Sequence, residues 1–170
     1  MSTATISAVV GRGAPTWSLS PEELRVIVAE ALDGIELRER VLAIVPDKTR
    51  DDNTDLLFPF ASEILAQKKV AQFDVLIAQG THGPMTEAEK LEKIGWGNIP
   101  FGSVGHIFDH QWNRDDELVT LGELSAERIA ELTDGLMNES VPVRLNALLA
   151  PGKYDTVLVF GATMPHEVAG

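Results

Sequence analysis

The sequence predicts an α/β fold: a mainly parallel sheet with helices on both faces, Rossmann-like in kind. Three observations lead there. Short apolar runs, most of them rich in β-branched residues, stand at 41–46 (VLAIVP), 74–78 (DVLIA) and 156–160 (TVLVF), the composition of strands buried on both faces. Amphipathic helical segments alternate with such runs, which implies βαβ units. Each run also empties into a polar segment, at 46–50, 80–85 and 161–170. Ligands of open α/β sheets bind beyond the carboxyl ends of the strands, so these three loops are expected to converge on one site.

The elements follow in order. A helix is predicted over 21–32, with Ser20 as N-cap, Pro21 in the first helical position and Glu23 closing a capping box. Leu24, Ile27, Val28, Ala31 and Leu32 then line one face, and Gly34 is expected to end the helix in a left-handed conformation. The strand at 41–46 leads through polar residues to a second helix, from about 55 to 68. There Leu57, Ala61, Ile64 and Leu65 share a face, and Pro59 lies early enough to be tolerated. After the strand at 74–78, Thr86 and Glu89 form another capping box for a short helix closing at Gly95. Residues 96–122 carry little pattern; one strand is expected around 104–108, then mostly loop. Ser125 caps a helix over 126–133 that Gly135 ends, and the strand at 156–160 is the last element. No repeat, low-complexity tract or linker interrupts the chain, which reads as a single domain long enough to bury roughly 70% of its unfolded surface.

Composition narrows the partners. Hydrophobic residues make up 44% and charged residues 24%, and the net charge is −12. The densest basic run is only Lys68-Lys69, so phosphates would be repelled and neither nucleic acid nor an acidic membrane is an expected partner. There is no cysteine, hence no disulfide framework, thiolate nucleophile or cysteine zinc site. The first residues lack the pattern of a signal peptide, and no apolar run approaches the ~20 residues that cross a bilayer. The expected location is the cytoplasm.

The three loops supply the candidate chemistry. Arg50 offers a planar fork suited to a carboxylate, and Asp47 can orient it or a cofactor group. Alternatively the two form a loop salt bridge ahead of a helix cap, since Asp52, Asn53 and Thr54 are all cap formers. His82 and His166 follow separate strands, and a histidine can give or take a proton near neutral pH. A lone loop histidine is more often structural, but two at strand ends make a shared site more plausible. Other patterns fail. The run from Asp51 to Asp55 begins like a calcium loop but has Leu56 where glycine belongs and Ser62 where glutamate belongs. Gly95-Trp96-Gly97 lacks the third glycine of a dinucleotide fingerprint. His106 and His110 have a ligand-like spacing without a zinc context. Trp17, Trp96 and Trp112 read as packing residues, with nothing basic around them to suggest base stacking.

Three motifs taken together carry a resemblance. Pro46-Asp47-Lys48-Thr49-Arg50, Gly80-Thr81-His82-Gly83-Pro84-Met85-Thr86 and Pro165-His166-Glu167-Val168-Ala169-Gly170, each after a strand, resemble the N-terminal domain of lactate racemase in order and spacing, from roughly residue 41 onward. Gly83 departs from the family, where arginine is common. The resemblance implies a 2-hydroxyacid racemase or epimerase that passes a hydride to a nickel pincer nucleotide. Side chains cannot accept a hydride, so such a cofactor is chemically required. It implies His82 and His166 as paired acid/base residues, Arg50 and Asp47 as substrate-binding, and Asp47 and Thr81 as cofactor contacts, with no metal ligand in this segment. Family members continue into a glycine-rich segment, a lysine that carries the cofactor, a nickel-ligating histidine and a second domain. The chain is therefore expected to be an N-terminal catalytic domain, truncated at its C-terminus, that is inactive and without cofactor when alone. Its expected partners are a small-molecule 2-hydroxy acid and the missing C-terminal domain. Two other readings compete: a non-catalytic domain that binds a small carboxylate, and a metal-assisted hydrolase built on His82, His106 and His110.

Overall fold

The computed structural model describes residues 9–162, which fall into two compact units. One comprises 9–79, 83–109 and 155–162, the other 80–82 and 110–154.

The first unit is built on a four-stranded sheet in which every pairing is parallel. Its strands are β1 (Arg40–Pro46), β2 (Gln72–Ala78), β3 (Ile107–Asp109) and β6 (Thr156–Val159), in the order β3-β2-β1-β6. The α/β class and the parallel sheet are as predicted. Alternate residues Val41, Ala43 and Val45 of β1 and Phe73, Val75 and Ile77 of β2 point into one core. Helix α2 (Thr54–Gln67) covers that face with Phe58 and Leu65, and Ile94 closes it after α3 (Glu87–Lys93). Phe58 stacks on Phe73 with ring centroids 5.3 Å apart, a geometry that adds to the area the rings bury. Helix α1 (Pro21–Asp33) leans on α2 through Leu32, Ala61 and Ile64.

Local chemistry accounts for the boundaries. The capping boxes Ser20/Glu23 and Thr86/Glu89 both form, satisfying orphan N–H groups at each helix start. At α2 the N-cap Asn53 makes no side-chain capping bond; Asp52 Oδ1 accepts from the Thr54 N–H instead, at 2.9 Å. Gly34 corrects an expectation. Its φ is −76, because the cap N–H simply continues the helical pattern onto the Glu30 carbonyl at 3.1 Å. Gly95 does adopt a left-handed φ of +64, and a Cβ there would stand 2.1 Å from the Asp55 carbonyl oxygen. Only glycine fits that close approach of α3 to α2.

The second unit pairs an antiparallel ribbon that the pattern did not announce with a helix that it did. Strands β4 (Leu118–Leu124) and β5 (Val141–Asn146) pair antiparallel with an irregularity between Thr120 and Gly122; mostly loop was expected up to residue 122, and no element was predicted over 141–146. Helix α4 (Ala126–Leu132) is capped by Ser125, and Gly135 takes a φ of +81. Asn146 is buried; its Oδ1 accepts from the Leu148 N–H and its amide lies 3.2 Å from His110 Nδ1. The strand expected at 104–108 lies slightly later, at Ile107–Asp109.

Candidate active site

The loop between β1 and α2 is a turn fastened at every step. Asp47, buried at the end of β1, accepts on Oδ1 from the Thr49 N–H (2.9 Å) and the Thr49 hydroxyl (2.5 Å). Its carbonyl accepts from the Arg50 N–H at 3.2 Å. The Arg50 carbonyl in turn accepts from Lys93 Nζ at 2.8 Å. Both polar groups of the Arg50 backbone are therefore bound. Its side chain is exposed, and its guanidinium makes no hydrogen bond or ion pair among the described residues. The salt bridge between Asp47 and Arg50 that the loop might have held does not form; the backbone is tied and the fork is left open.

Helix α3 fixes the outside of this turn. Lys48 pairs with Glu89, whose carboxylate also accepts from the Thr86 N–H and hydroxyl. The Lys48 and Thr86 bonds hold Glu89 well below the ordinary carboxylate range, at about 2. One turn on, Lys93 bonds Asp52 Oδ1 at 3.0 Å. Burial alone would raise the Asp52 carboxyl, but hydrogen bonds from Thr54 and Lys93 outweigh it and lower its pKa. A cleft of about 350 Å³ lies over these groups, lined by Lys48, Arg50, Asp52, Asp55, Glu89, Glu92 and Lys93.

A second cavity marks the place where the sheet changes direction. The chain runs from β1 to β2 to β3 on one side, while β6 pairs on the other side of β1. The crevice at such a reversal is where doubly wound sheets bind ligands. Here Asp51, Asn53, Thr54 and Leu57 at the start of α2 face Gly161 and Ala162 beyond β6, around about 380 Å³. The acidic residues at the start of α2 disfavour a bare phosphate there. The donor set does not suit a metal: among the described residues no three His, Asp or Glu side chains gather as ligands.

The other predicted residues divide. Thr81 and His82 are exposed and follow β2 by three and four residues, within the second unit. His166 lies outside the described residues. His106, 79% exposed, reaches within 3.7 Å of buried Asp74, and His110 lies against Asn146; neither belongs to a group of three or more candidate metal ligands among the described residues. Lys48, Asp52, Glu89 and Lys93 were not anticipated as site residues. The local signals were the Thr86/Glu89 capping box and Asp52 as a cap former, and they disclosed helix starts without the partners across the loop.

Fold and cleft define the class: an α/β domain that presents polar loops at the carboxyl ends of parallel strands. The chain belongs to the lactate racemase N-terminal domain family, whose model matches residues 24–170. A crystal structure of a protein from Thermotoga maritima is similar in fold and sequence, with a TM-score of 0.73 and 26% identity. The match covers 83% of this chain and 33% of that one, so the chain spans about a third of the relative's length. No curated protein matches the sequence significantly.

Proposed function

We propose that this chain is the N-terminal catalytic domain of a longer 2-hydroxyacid racemase or epimerase. The observation that supports this reading most strongly is the Arg50 turn, in which a backbone bound at both N–H and C=O carries a guanidinium without an ion-pair partner among the described residues. A 2-hydroxy acid offers a planar carboxylate beside the carbon to be inverted, and an arginine fork binds it through two parallel hydrogen bonds. Anchoring that end leaves the α-carbon with its hydrogen and hydroxyl to be presented to the chemistry.

Inversion then requires two services. The α-hydrogen must leave and return on the other face; a nickel pincer nucleotide supplies the hydride acceptor that side chains lack, with Asp47 and Thr81 as its contacts from this chain. The hydroxyl proton must be held meanwhile. His82 would take it from one enantiomer as the carbonyl forms, and His166 would return one to the oxygen when the opposite enantiomer is rebuilt; the two exchange roles in the reverse direction. Asp47, fixed by Thr49, keeps the turn in the shape that presents Arg50.

The test is racemisation of a panel of D- and L-2-hydroxy acids by the full-length polypeptide loaded with cofactor. His82→Ala and His166→Ala are expected to lose at least about 100-fold each. A loaded protein that turns over no hydroxy acid would refute the reaction class. A protein that binds carboxylates through Arg50 but never loads the cofactor would favour a non-catalytic carboxylate-binding domain.

A further inference from the structure

Lys93 holds a position that helix geometry alone does not explain. A lysine in the last turn of a short surface helix ordinarily extends its ammonium into water. Here the side chain is only 10% exposed and the ammonium turns inward, onto the Arg50 carbonyl at 2.8 Å and Asp52 Oδ1 at 3.0 Å. Burying a charge is costly unless it is paired and hydrogen-bonded, and both partners lie on the loop that carries Arg50. Asp52 needs the ammonium too. Its side chain is 4% exposed, its Oδ1 is shared with the Thr54 N–H, and its Oδ2 has no hydrogen-bond partner among the described residues.

We infer that Lys93 is a positioning residue for Arg50, holding the backbone of the carboxylate-binding arginine from beneath. The inference rests on the reading of Arg50 as the group that binds substrate carboxylate. The turn closes the N–H side of Arg50 onto Asp47, and Lys93 closes the carbonyl side. With both fixed, the Cα–Cβ bond of Arg50 keeps one direction, and only side-chain rotation remains to be ordered when a carboxylate arrives. Preorganisation of this kind lowers the entropy lost on binding. Through Asp52 the same ammonium ties the turn to the first N–H of α2, so the loop and the helix start keep one geometry.

The experiment is calorimetric titration of this chain with oxalate, a non-reacting carboxylate probe. It compares the wild type with Arg50→Gln, Lys93→Met, Asp52→Asn and the double variant Arg50→Gln/Lys93→Met, with thermal unfolding of each alongside. Arg50→Gln is expected to remove most of the affinity. Lys93→Met should weaken oxalate about tenfold, the scale of a lost charge-assisted hydrogen bond. In the Arg50→Gln background the same change should cost less than about twofold, because Lys93 acts through Arg50. Asp52→Asn, which keeps an acceptor for Thr54, should weaken binding in the same direction, and it carries the test if Lys93→Met does not fold. Wild-type affinity in both Lys93→Met and Asp52→Asn, with affinity lost in Arg50→Gln, would overturn the inference and leave the Arg50 reading standing. Equal losses from Lys93→Met in both backgrounds would also overturn it, since Lys93 would then attract the anion directly. Oxalate binding that is absent from the wild type, or indifferent to Arg50→Gln, would refute the Arg50 reading itself and the inference with it.

Discussion

Replacing Gly95 by alanine tests how the loop is held, because two separate penalties can be assigned to that one methyl group. The residue sits at a φ of +64, and the new Cβ would stand 2.1 Å from the Asp55 carbonyl oxygen and 3.0 Å from both the Asp55 carbonyl carbon and Pro59 Cγ. The left-handed backbone costs an L-residue about 1–2 kcal/mol. Relieving the overlap means moving the backbone at the start of α2, which adds about 1–3 kcal/mol. The expected loss is about 3 kcal/mol. Gly102 is the internal control in the same unit: its φ is +75 and nothing lies within 4 Å of its would-be Cβ, so Gly102→Ala should pay only the backbone penalty of about 1 kcal/mol. Urea unfolding followed by tryptophan fluorescence reads both. With a slope near 2 kcal/mol per molar, the midpoint should fall by about 1.5 M for Gly95→Ala and about 0.5 M for Gly102→Ala. Equal shifts in the two variants would refute the claim that α3 is seated on the Asp55 carbonyl.

Three further outcomes follow from the same geometry. Lys90, 5% exposed, pairs with Asp109 at 2.6 Å and also with the exposed Glu87; Asp109→Asn leaves the ammonium only the exposed Glu87 as a charged partner among these and should cost about 3 kcal/mol, part of which Lys90→Met in the same chain recovers, as judged by urea midpoints. Glu89 has a folded pKa of about 2 against an ordinary 4.5. Its contribution to stability is therefore full above about 4.5 and lost as pH falls toward 2; Glu89→Gln should show a flatter loss across that window in unfolding curves at successive pH values. In the cofactor-loaded full-length enzyme, Arg50→Lys should raise KM by about tenfold or more because a point charge cannot bind a carboxylate bidentately, and an unchanged KM would remove Arg50 from the substrate.

Much of this was legible in the residues, and the remainder was hidden for identifiable reasons. The runs VLAIVP and DVLIA disclosed β1 and β2 because central parallel strands are buried on both faces and show no alternation to decode. Helices α1 and α3 announced their starts because capping is a local affair of four residues. Strands β4 and β5 were missed because a two-stranded ribbon is solvated: Thr120, Gly122 and Glu123 interrupt one strand, Pro142 and Arg144 the other, and Val141, Val143 and Leu145 remain partly open to solvent. Gly34 looked like a left-handed cap, yet nothing in the next residues demanded a reversal. In the candidate site Asp47 and Arg50 stood out as a loop pair, whereas Lys93 looked like any helix cation. Its role depends on α3 packing beside α2, a contact set by Gly95 and Asp55 from distant parts of the chain.

The most direct test of the central claim follows the α-hydrogen itself. A 2-deuterated 2-hydroxy acid that the loaded full-length enzyme racemises in ordinary water should give the opposite enantiomer with its deuterium retained, because the hydrogen leaves and returns as a hydride while His82 and His166 handle only the hydroxyl proton. Product carrying solvent hydrogen at the α-carbon would mean that a proton is abstracted there instead, and would contradict the account.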